Sequence, residues 1–327
     1  MPDQRLPHWF KIRPPSGENF QKIRRMVSGL KLATVCQEAR CPNLSECWSG
    51  GTATFMVMGD TCTRGCRFCH VATGNPKGAL DPLEPQKVAD SVENLGLTYT
   101  VITSVDRDDL PDGGADHFGR VIEAIREQVP DCLVEVLIPD FAGDEASLDR
   151  VIAAGPHVIA HNIETVRRLT PRVRDRRAAY DQSLDVLRHI KKASPDTYTK
   201  SSIMLGLGET DEEVETTLDD LKAADVSVVT FGQYLRPSKE ERFLPVEEYV
   251  HPDKFDEWAR IGMEEKKFLY VASGPLVRSS YRAGEFFLEG LLRNGRPPPT
   301  DGPGSAHGAS SHSRSSLPRL PVIQEGQ

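Results

Sequence analysis

The sequence predicts an α/β fold, a partial (β/α)6 barrel with an N-terminal and a C-terminal extension. From residue 52 onward, short β-branched runs alternate with helical patterns, and this order predicts right-handed crossovers between parallel strands. Several runs are apolar throughout, which is typical of a parallel sheet that is buried on both faces. The pattern gives about six βα units, fewer than the eight of a complete barrel. A doubly wound sheet is the alternative arrangement of the same units.

Strands and helices account for most of the chain between residues 52 and 275. One helix is predicted to begin at the capping residue Asp144 and to end at Gly155. Thr210 and Glu213 have the three-residue spacing of a capping box, which predicts the start of another helix. Further helical patterns lie near 84–96, 114–128, 181–193 and 253–267. The predicted strands are 54–58, 99–104, 133–138, 157–161, 199–205 and 226–231, with 268–273 as a possible seventh.

Composition divides the chain into four segments, 1–51, 52–275, 276–294 and 295–327. The first segment does not follow the βα alternation, and we expect it to wrap on the barrel as an extension. The segment 276–294 is predicted as a second extension. Proline, glycine and serine dominate the last segment and no apolar period survives there, so it is predicted to be disordered.

Charge and hydropathy exclude several classes of protein. The 327 residues include 40 Lys and Arg against 48 Asp and Glu, giving a net charge of −8. This acidic balance argues against a general nucleic-acid binder and against a polybasic membrane anchor. No run approaches the ~18–20 apolar residues of a membrane span, and the first residues lack the apolar stretch of a secretory signal. We expect a cytoplasmic protein.

Six of the seven cysteines lie within 34 residues, and only Cys132 stands apart, where it is predicted to be a core residue. Such a cluster in a small secreted protein would indicate disulfides, but this chain is long and its cysteine count is odd. In a reducing compartment a cluster of this kind more often binds metal.

Cys62, Cys66 and Cys69 form a CxxxCxxC triplet directly after the first predicted strand. Three thiolates on a tight loop suit an iron–sulfur cluster, and they would leave one iron of a four-iron cluster open. Structural zinc is the alternative, with His70 as its fourth ligand. Phe68 is either a stacking platform for an aromatic base or an ordinary packing residue.

This triplet, at the end of the first strand of a barrel, resembles the radical S-adenosylmethionine (SAM) superfamily. The resemblance implies a partial barrel of the radical SAM type and a 4Fe-4S cluster on Cys62, Cys66 and Cys69. It also implies that SAM chelates the open iron through its amine and carboxylate. Electron transfer from the cluster then cleaves SAM and yields a 5′-deoxyadenosyl radical.

A second triplet, Cys36, Cys41 and Cys47, lies in the N-terminal extension. The strings CQEARCPNLSECW, MGDTCTRGCRFCHV, TSVDRDDLPDGGADH, SIMLGLGET and GPLVRSSYRAGEFF are similar to the lipoyl synthase family. That resemblance implies an auxiliary 4Fe-4S cluster on the second triplet, with Ser280 of the RSSY string as fourth ligand and Ser279 as the fallback. By themselves, the two serines are typical of a helix cap.

The resemblance also implies the reaction, the insertion of two sulfur atoms at carbons 6 and 8 of an octanoyl group on a lysine of a lipoyl carrier domain. The auxiliary cluster supplies the sulfur. Implied partners are the glycine cleavage H protein, the E2 subunits of 2-oxoacid dehydrogenases, and an electron donor such as ferredoxin or flavodoxin. One alternative is a biotin-synthase-like radical SAM enzyme. The other is a zinc-binding or iron–sulfur module without catalytic activity.

Polar residues near strand ends are weaker candidates for contact with SAM, and each could instead serve its own loop. Asp106, Asn162, Glu164, Lys200 and Arg236 are predicted in this role, beside Phe68. A run of arginines is predicted as a docking patch for an acidic carrier domain, with a solvated surface as the alternative. The run comprises Arg167, Arg168, Arg172, Arg174, Arg176 and Arg177.

Overall fold

Seven parallel strands form the central sheet of the computed structural model, which describes residues 6–11, 14, 17–280 and 290–293. An eighth strand, at one edge, pairs antiparallel with its neighbour. A separate pair of two-residue strands follows the first parallel strand. The strands are β1 (Ala33–Thr34), β2 (Thr54–Val57), β3 (Thr61–Cys62), β4 (Ala72–Thr73), β5 (Tyr99–Ser104), β6 (Leu133–Leu137), β7 (Val158–Ala160), β8 (Tyr198–Leu205), β9 (Val228–Gln233) and β10 (Tyr270–Gly274).

The order of the large sheet is β1-β2-β5-β6-β7-β8-β9-β10, and within the described chain its two edges do not pair with each other. The sheet is therefore an open, partial barrel, as the alternation predicts. All six predicted strands form within two residues of their expected limits. The possible seventh also forms, since β10 pairs in parallel with β9 from Tyr270 opposite Val228 onward.

Helices cover the outer face of the sheet and begin where the capping signals predict. Asp144 accepts a hydrogen bond from the Ser147 N–H at the start of α6, and Thr210 forms the expected capping box with Glu213 at the start of α9. No helix of the described residues is long and apolar enough to cross a membrane. The helices are α1 (Gly17–Leu30), α2 (Val35–Glu38), α3 (Leu44–Ser49), α4 (Glu84–Leu95), α5 (Ala115–Gln128), α6 (Glu145–Ala153), α7 (Thr170–Val173), α8 (Tyr180–Ala193), α9 (Asp211–Ala223) and α10 (Pro252–Arg260).

The N-terminal extension is fastened to the barrel at both edges of the sheet. Ile23, Val27 and Trp48 form a small apolar cluster between α1 and α3, and β1 pairs with β2. The Asn43 amide donates a hydrogen bond of 2.6 Å to the Leu276 carbonyl, just after β10. This contact joins the extension to the segment that carries the RSSY string. Tyr281 of that string and the tail predicted over 295–327 lie outside the described residues.

Side chains alternate between the helix-facing and inward faces of each strand. On β8, Ile203 and Leu205 pack in the apolar cluster that includes the helices, whereas Ser202 and Met204 face inward. Lys200 also faces inward, but it lies two residues before Ser202, nearer the start of the strand. Its ammonium contacts the Glu135 carboxylate of β6 at 2.6 Å, and both side chains are 1% exposed. This ion pair, joined by the Tyr99 hydroxyl, fills the barrel interior toward the start of the strands.

Replacing Lys200 with methionine is expected to lower the free energy of unfolding by about 3–5 kcal/mol, because Glu135 is left buried without its cation. The double variant Glu135→Leu/Lys200→Met removes both charges and should recover most of this loss. Urea unfolding of the metal-free chain, followed by circular dichroism, measures both variants. Equal losses in the single and the double variant would contradict the paired-charge explanation.

Candidate active site

A cavity of about 940 Å³ opens at the carboxyl ends of the parallel strands. Its wall includes residues that end or follow β5, β6, β7, β8 and β9, because strands running in one direction end at one edge of the sheet. Cys62, Cys66 and Cys69 line this cavity. So do Cys41 and Ser280, which come from the two extensions. The structure thus brings the first cysteine triplet, one cysteine of the second triplet and the two serines to one space.

Backbone N–H groups point at the sulfur atoms of the CxxxCxxC loop. The Cys62 sulfur accepts from the N–H groups of Arg64 and Asp106, each at 3.4 Å. The Cys66 sulfur accepts from the Asp175 N–H at 3.2 Å, and the Asp175 carboxylate in turn accepts from the Gly65 N–H at 2.9 Å. Such donors stabilise thiolate, the form that binds metal, and they are one means of tuning iron–sulfur sites.

The three thiols of this loop are neutral at pH 7 in the metal-free chain. Burial raises the pKa of Cys62, Cys66 and Cys69 to about 12, and nearby acidic groups act in the same direction. Burial likewise raises the pKa of Cys36 to about 11. Metal binding therefore has to displace protons from these sulfurs.

The cysteines are not gathered around a single ion. Across the described residues, no group of three or more His, Cys, Asp and Glu side chains is close enough to hold one metal ion. His70, the fourth ligand of the zinc alternative, instead donates through Nδ1 to the Glu38 carbonyl at 3.1 Å and stacks on Phe243. Cysteines that bind separate irons of one cluster need not converge on one point. The donor set fits an iron–sulfur cluster better than zinc.

The second triplet approaches the cavity through its middle cysteine. The Cys41 N–H donates to the Cys36 carbonyl at 3.0 Å, and the Cys47 N–H donates to the Asn43 carbonyl at 2.9 Å. Cys36 and Cys47 are buried behind Cys41 in the apolar cluster of the extension. Cys41 and Ser280 line the same cavity, and the Asn43 hydrogen bond to Leu276 joins the two segments that carry them.

Asn162 and Glu164 meet the cavity beside the end of β7. The Asn162 amide donates to the Glu164 carboxylate at 3.1 Å, while its carbonyl oxygen is buried without a partner in the described chain. Glu164 has a φ of 67°, which is uncommon outside glycine, and its backbone bonds to Ser202 and Met204 on β8 hold it there. Burial raises the pKa of its carboxyl, and the Arg174 guanidinium opposes that shift. The strained backbone of Glu164 lies beside the unsatisfied carbonyl oxygen of Asn162, and this combination indicates a position where a ligand binds.

Phe68, Asp106 and Arg236, which are predicted SAM contacts, also line the cavity, whereas Lys200 does not. Lys200 faces inward, but its position in the strand places its ammonium against Glu135. Arg236 donates from Nη2 to two carbonyls of its own loop, and its Nε is buried without a partner among the described residues. Burial raises the pKa of Asp106 to about 6, although Arg64 opposes the shift.

Three further polar residues of the cavity wall escaped the sequence analysis. Asp140 follows β6 just as Asp106 follows β5. The position after a strand, which made Asp106 a candidate for contact with SAM, therefore applies equally to Asp140. His161 directly follows β7, and burial lowers its pKa to about 4, which keeps the imidazole neutral at pH 7. Arg64 lies inside the cysteine loop and contacts Asp140 at 2.7 Å. The spacing of cysteines gave no indication of that contact.

The predicted arginine patch is largely neutralised by the chain itself. Arg174 is buried and donates to the Ser183 hydroxyl at 2.7 Å. Four of the remaining five arginines contact carboxylates, so the run offers a partner little unpaired positive charge. The pairs are Arg167–Asp181, Arg168–Glu213, Arg172–Glu247 and Arg177–Asp175.

Comparison with known proteins supplies the family. The radical SAM superfamily matches residues 56–221, and the N-terminal domain of lipoyl synthase matches residues 2–41. The chain is 57% identical over 300 residues to a lipoyl synthase of Halobacterium salinarum, covering 90% of this chain and 95% of that one. The chain belongs to the lipoyl synthase family. It is a radical SAM enzyme that inserts sulfur and acts on a lipoyl carrier substrate.

Other lipoyl synthases are similarly close. A protein of Myxococcus xanthus is 56% identical, covering 89% of this chain and 97% of the relative. The mitochondrial lipoyl synthase of Caenorhabditis elegans is also 56% identical, with coverage of 89% and 83%. Two sequences this similar share one fold and one order of elements along nearly their whole length.

Solved structures of more distant proteins share the fold. Methylornithine synthase superposes with a TM-score of 0.51 at 15% identity, covering 77% of this chain and 71% of that one. The hydrogenase maturase HydG gives a TM-score of 0.53 at 14% identity, with coverage of 78% and 57%. These matches confirm the predicted fold class, a partial barrel of the radical SAM type.

Proposed function

We propose that the two cysteine triplets serve one octanoyl chain inside the cavity described above, the first by starting the reaction and the second by supplying sulfur. One observation carries the proposal. Cys62, Cys66 and Cys69 line the same space as Cys41 and Ser280, although these residues come from three separate parts of the chain. A substrate that must lose hydrogen and gain sulfur at the same carbon needs both sites within reach.

Cys62, Cys66 and Cys69 would hold the first 4Fe-4S cluster, with SAM on its open iron. When bound, these groups supply the radical that can break an unactivated C–H bond, a step that no protein side chain can perform. The chain contributes the N–H groups of Arg64, Asp106 and Asp175, which donate to two of the sulfurs and would stabilise their thiolate form once metal binding has displaced the protons.

The SAM pocket is proposed at Phe68, Asp106, Asn162, Glu164 and Arg236. The unpartnered oxygen of Asn162 and the Glu164 carboxylate would accept hydrogen bonds from ribose hydroxyls or an amine. The buried Nε of Arg236 would donate to a carboxylate. The ring of Phe68 would cover the adenine face. Lys200 is left out because its ammonium already contacts Glu135 below the cavity.

The second triplet, Cys36, Cys41 and Cys47, would hold the auxiliary cluster with Ser280 as its fourth ligand and Ser279 as the alternative. Both serines lie in the cavity wall. A serine oxygen is a hard donor on a site that prefers soft sulfur, so this bond is the weakest of the four. A weak fourth bond suits a cluster that must release its sulfur. Repeated turnover then requires that the cluster be rebuilt.

Apolar side chains of the cavity would receive the octanoyl chain. They lie on or after five strands and in one loop, and they would exclude water from a site where a misplaced radical would destroy the protein. Leu6, from the N-terminal segment, covers the same cavity. Apolar residues of the wall include Met56, Val105, Ile138, Met204, Leu235 and Val246.

Carrier domains such as the glycine cleavage H protein and the E2 subunits of 2-oxoacid dehydrogenases are the proposed substrates, and ferredoxin or flavodoxin the proposed electron donor. Since its arginines are mostly paired, the run near residues 167–177 is a weaker docking surface than its sequence indicates. None of the seven cysteines forms a disulfide in the structure, which is compatible with the proposed location in a reducing compartment such as the cytoplasm.

Anaerobic reconstitution with iron and sulfide tests the assignment of the two triplets. The parent chain should bind about eight irons, and a variant with Cys36, Cys41 and Cys47 changed to alanine about four. That variant should still cleave SAM but form no C–S bond on an octanoylated carrier peptide. Cys132→Ala, at a buried cysteine away from the cavity, is the matched control and should retain about eight. Zinc uptake, or about four irons in the parent, would overturn the two-cluster proposal.

Ser279 and Ser280 provide a second test, since only one of them is proposed as a ligand. Ser280→Ala should reduce sulfur insertion in a single turnover at least about tenfold, a loss of about 1.4 kcal/mol in barrier terms, while SAM cleavage continues. Ser279→Ala should retain both activities. Mass spectrometry of the carrier peptide measures the product, and the opposite pattern would assign the ligand to Ser279.

A further inference from the structure

Arg64 is a buried cation inside the CxxxCxxC loop, between Cys62 and Cys66. Its side chain is 3% exposed and contacts three carboxylates. Nη1 lies 2.7 Å from Asp140 and 3.3 Å from Asp106, and Nη2 lies 2.8 Å from Asp108. Nε also donates to the Asp108 carboxylate, so the guanidinium meets this group with two of its nitrogens. Such forked contacts fix an orientation as well as a charge.

The three carboxylates come from the ends of two neighbouring strands. Asp106 and Asp108 follow β5, and Asp140 follows β6, so Arg64 fastens the cysteine loop to two rigid elements at once. Asp106 joins this network directly to a cysteine, since its N–H and its carboxylate both lie near the Cys62 sulfur, at 3.4 and 3.6 Å. The position of Arg64 therefore influences the position of the first sulfur.

The charges around Arg64 do not cancel. Asp108 has a second cation, Arg177, at 3.1 Å, but Asp140 is 1% exposed and its ion pair is with Arg64. Asp106 also contacts Arg64, at 3.3 Å, and its side chain is 24% exposed. Without the arginine, the buried Asp140 and the partly exposed Asp106 would face the cysteine loop without this cation. Each would oppose any further negative charge there, since charges interact strongly where water is excluded.

We propose that Arg64 is a positioning residue that holds the cysteine loop against β5 and β6 and sets the potential at which the cluster of this loop accepts one electron. The proposal rests on the assignment of a 4Fe-4S cluster to Cys62, Cys66 and Cys69. Reduction places one more negative charge beside Asp106 and Asp140, and the guanidinium offsets it. A reductant outside the protein supplies that electron.

Dithionite titration followed by electron paramagnetic resonance measures the midpoint potential of the cluster. The experiment uses the full-length chain with alanine at Cys36, Cys41 and Cys47, so that only the cluster on Cys62, Cys66 and Cys69 gives a signal. Arg64→Gln should make the midpoint potential more negative, with a fall of about tenfold in the equilibrium constant for reduction, or about 59 mV for one electron. Arg64→Lys, which keeps the charge, should stay near the parent potential but lose iron faster to a chelator.

Charge compensation provides the decisive comparison. Arg64→Gln/Asp140→Asn removes one cation and one buried anion together, so its potential should return toward that of the parent. Arg67→Gln is the matched control, because Arg67 lies in the same loop and its Nε donates only to the Arg242 carbonyl in the described contacts. Its potential should not change.

Each result has a definite meaning. An unchanged potential in Arg64→Gln, or a shift that Asp140→Asn does not reverse, would overturn the proposal. If Arg64→Gln takes up no iron, the compensated double variant decides, and its failure to load while circular dichroism shows a folded chain would also overturn it. A parent background that binds no iron on this loop would instead refute the cluster assignment itself, so the two failures are distinguishable.

Discussion

Every functional feature of this protein depends on one constraint, the common direction of seven neighbouring strands. The carboxyl ends of parallel strands lie at one edge of the sheet, so the loops that follow these strands are close together. The cysteine loop follows β2, Asp106 follows β5, Asp140 follows β6 and Asn162 follows β7. The two extensions therefore need to extend only to this edge to contribute residues to the cavity. The hydrogen bond from Asn43 to Leu276 joins the extension that carries Cys41 to the segment that carries Ser280.

The barrel interior has two regions. Residues near the starts of the strands stabilise the fold, and residues near the ends of the strands line the cavity. Toward the strand starts, Lys200 and Glu135 fill the interior as a buried ion pair outside the cavity wall. Two and four residues further along β8, Ser202 and Met204 already line the cavity. There the structure leaves polar atoms unsatisfied, as at Asn162, and holds Glu164 in a strained conformation. The pattern is typical of a scaffold whose stable part supports a site ready for a ligand.

The sequence predicts the fold and part of the cavity wall. Alternating βα patterns and the capping residues Asp144 and Thr210 are local signals, and the structure confirms the fold that they predict. Local patterns do not predict pairings between distant residues. Lys200 is a predicted SAM contact because it lies on a predicted strand, but the layer of the barrel that a strand residue occupies depends on the register of the whole sheet, and Lys200 pairs with Glu135. The arginine run is predicted to be a basic patch because some of its carboxylate partners, such as Glu213, lie far away in the chain.

Both triplets of one chain are proposed to act within one cavity. A mixture of two loaded inactive variants tests this proposal, one with alanine at Cys36, Cys41 and Cys47 and the other with alanine at Cys62, Cys66 and Cys69. The first should cleave SAM and the second should carry sulfur. We expect no lipoyl product from the mixture on an octanoylated carrier peptide, while the same amount of parent protein produces it. Product from the mixture would show that sulfur or radical passes between chains, and the two triplets would then not need to share a cavity.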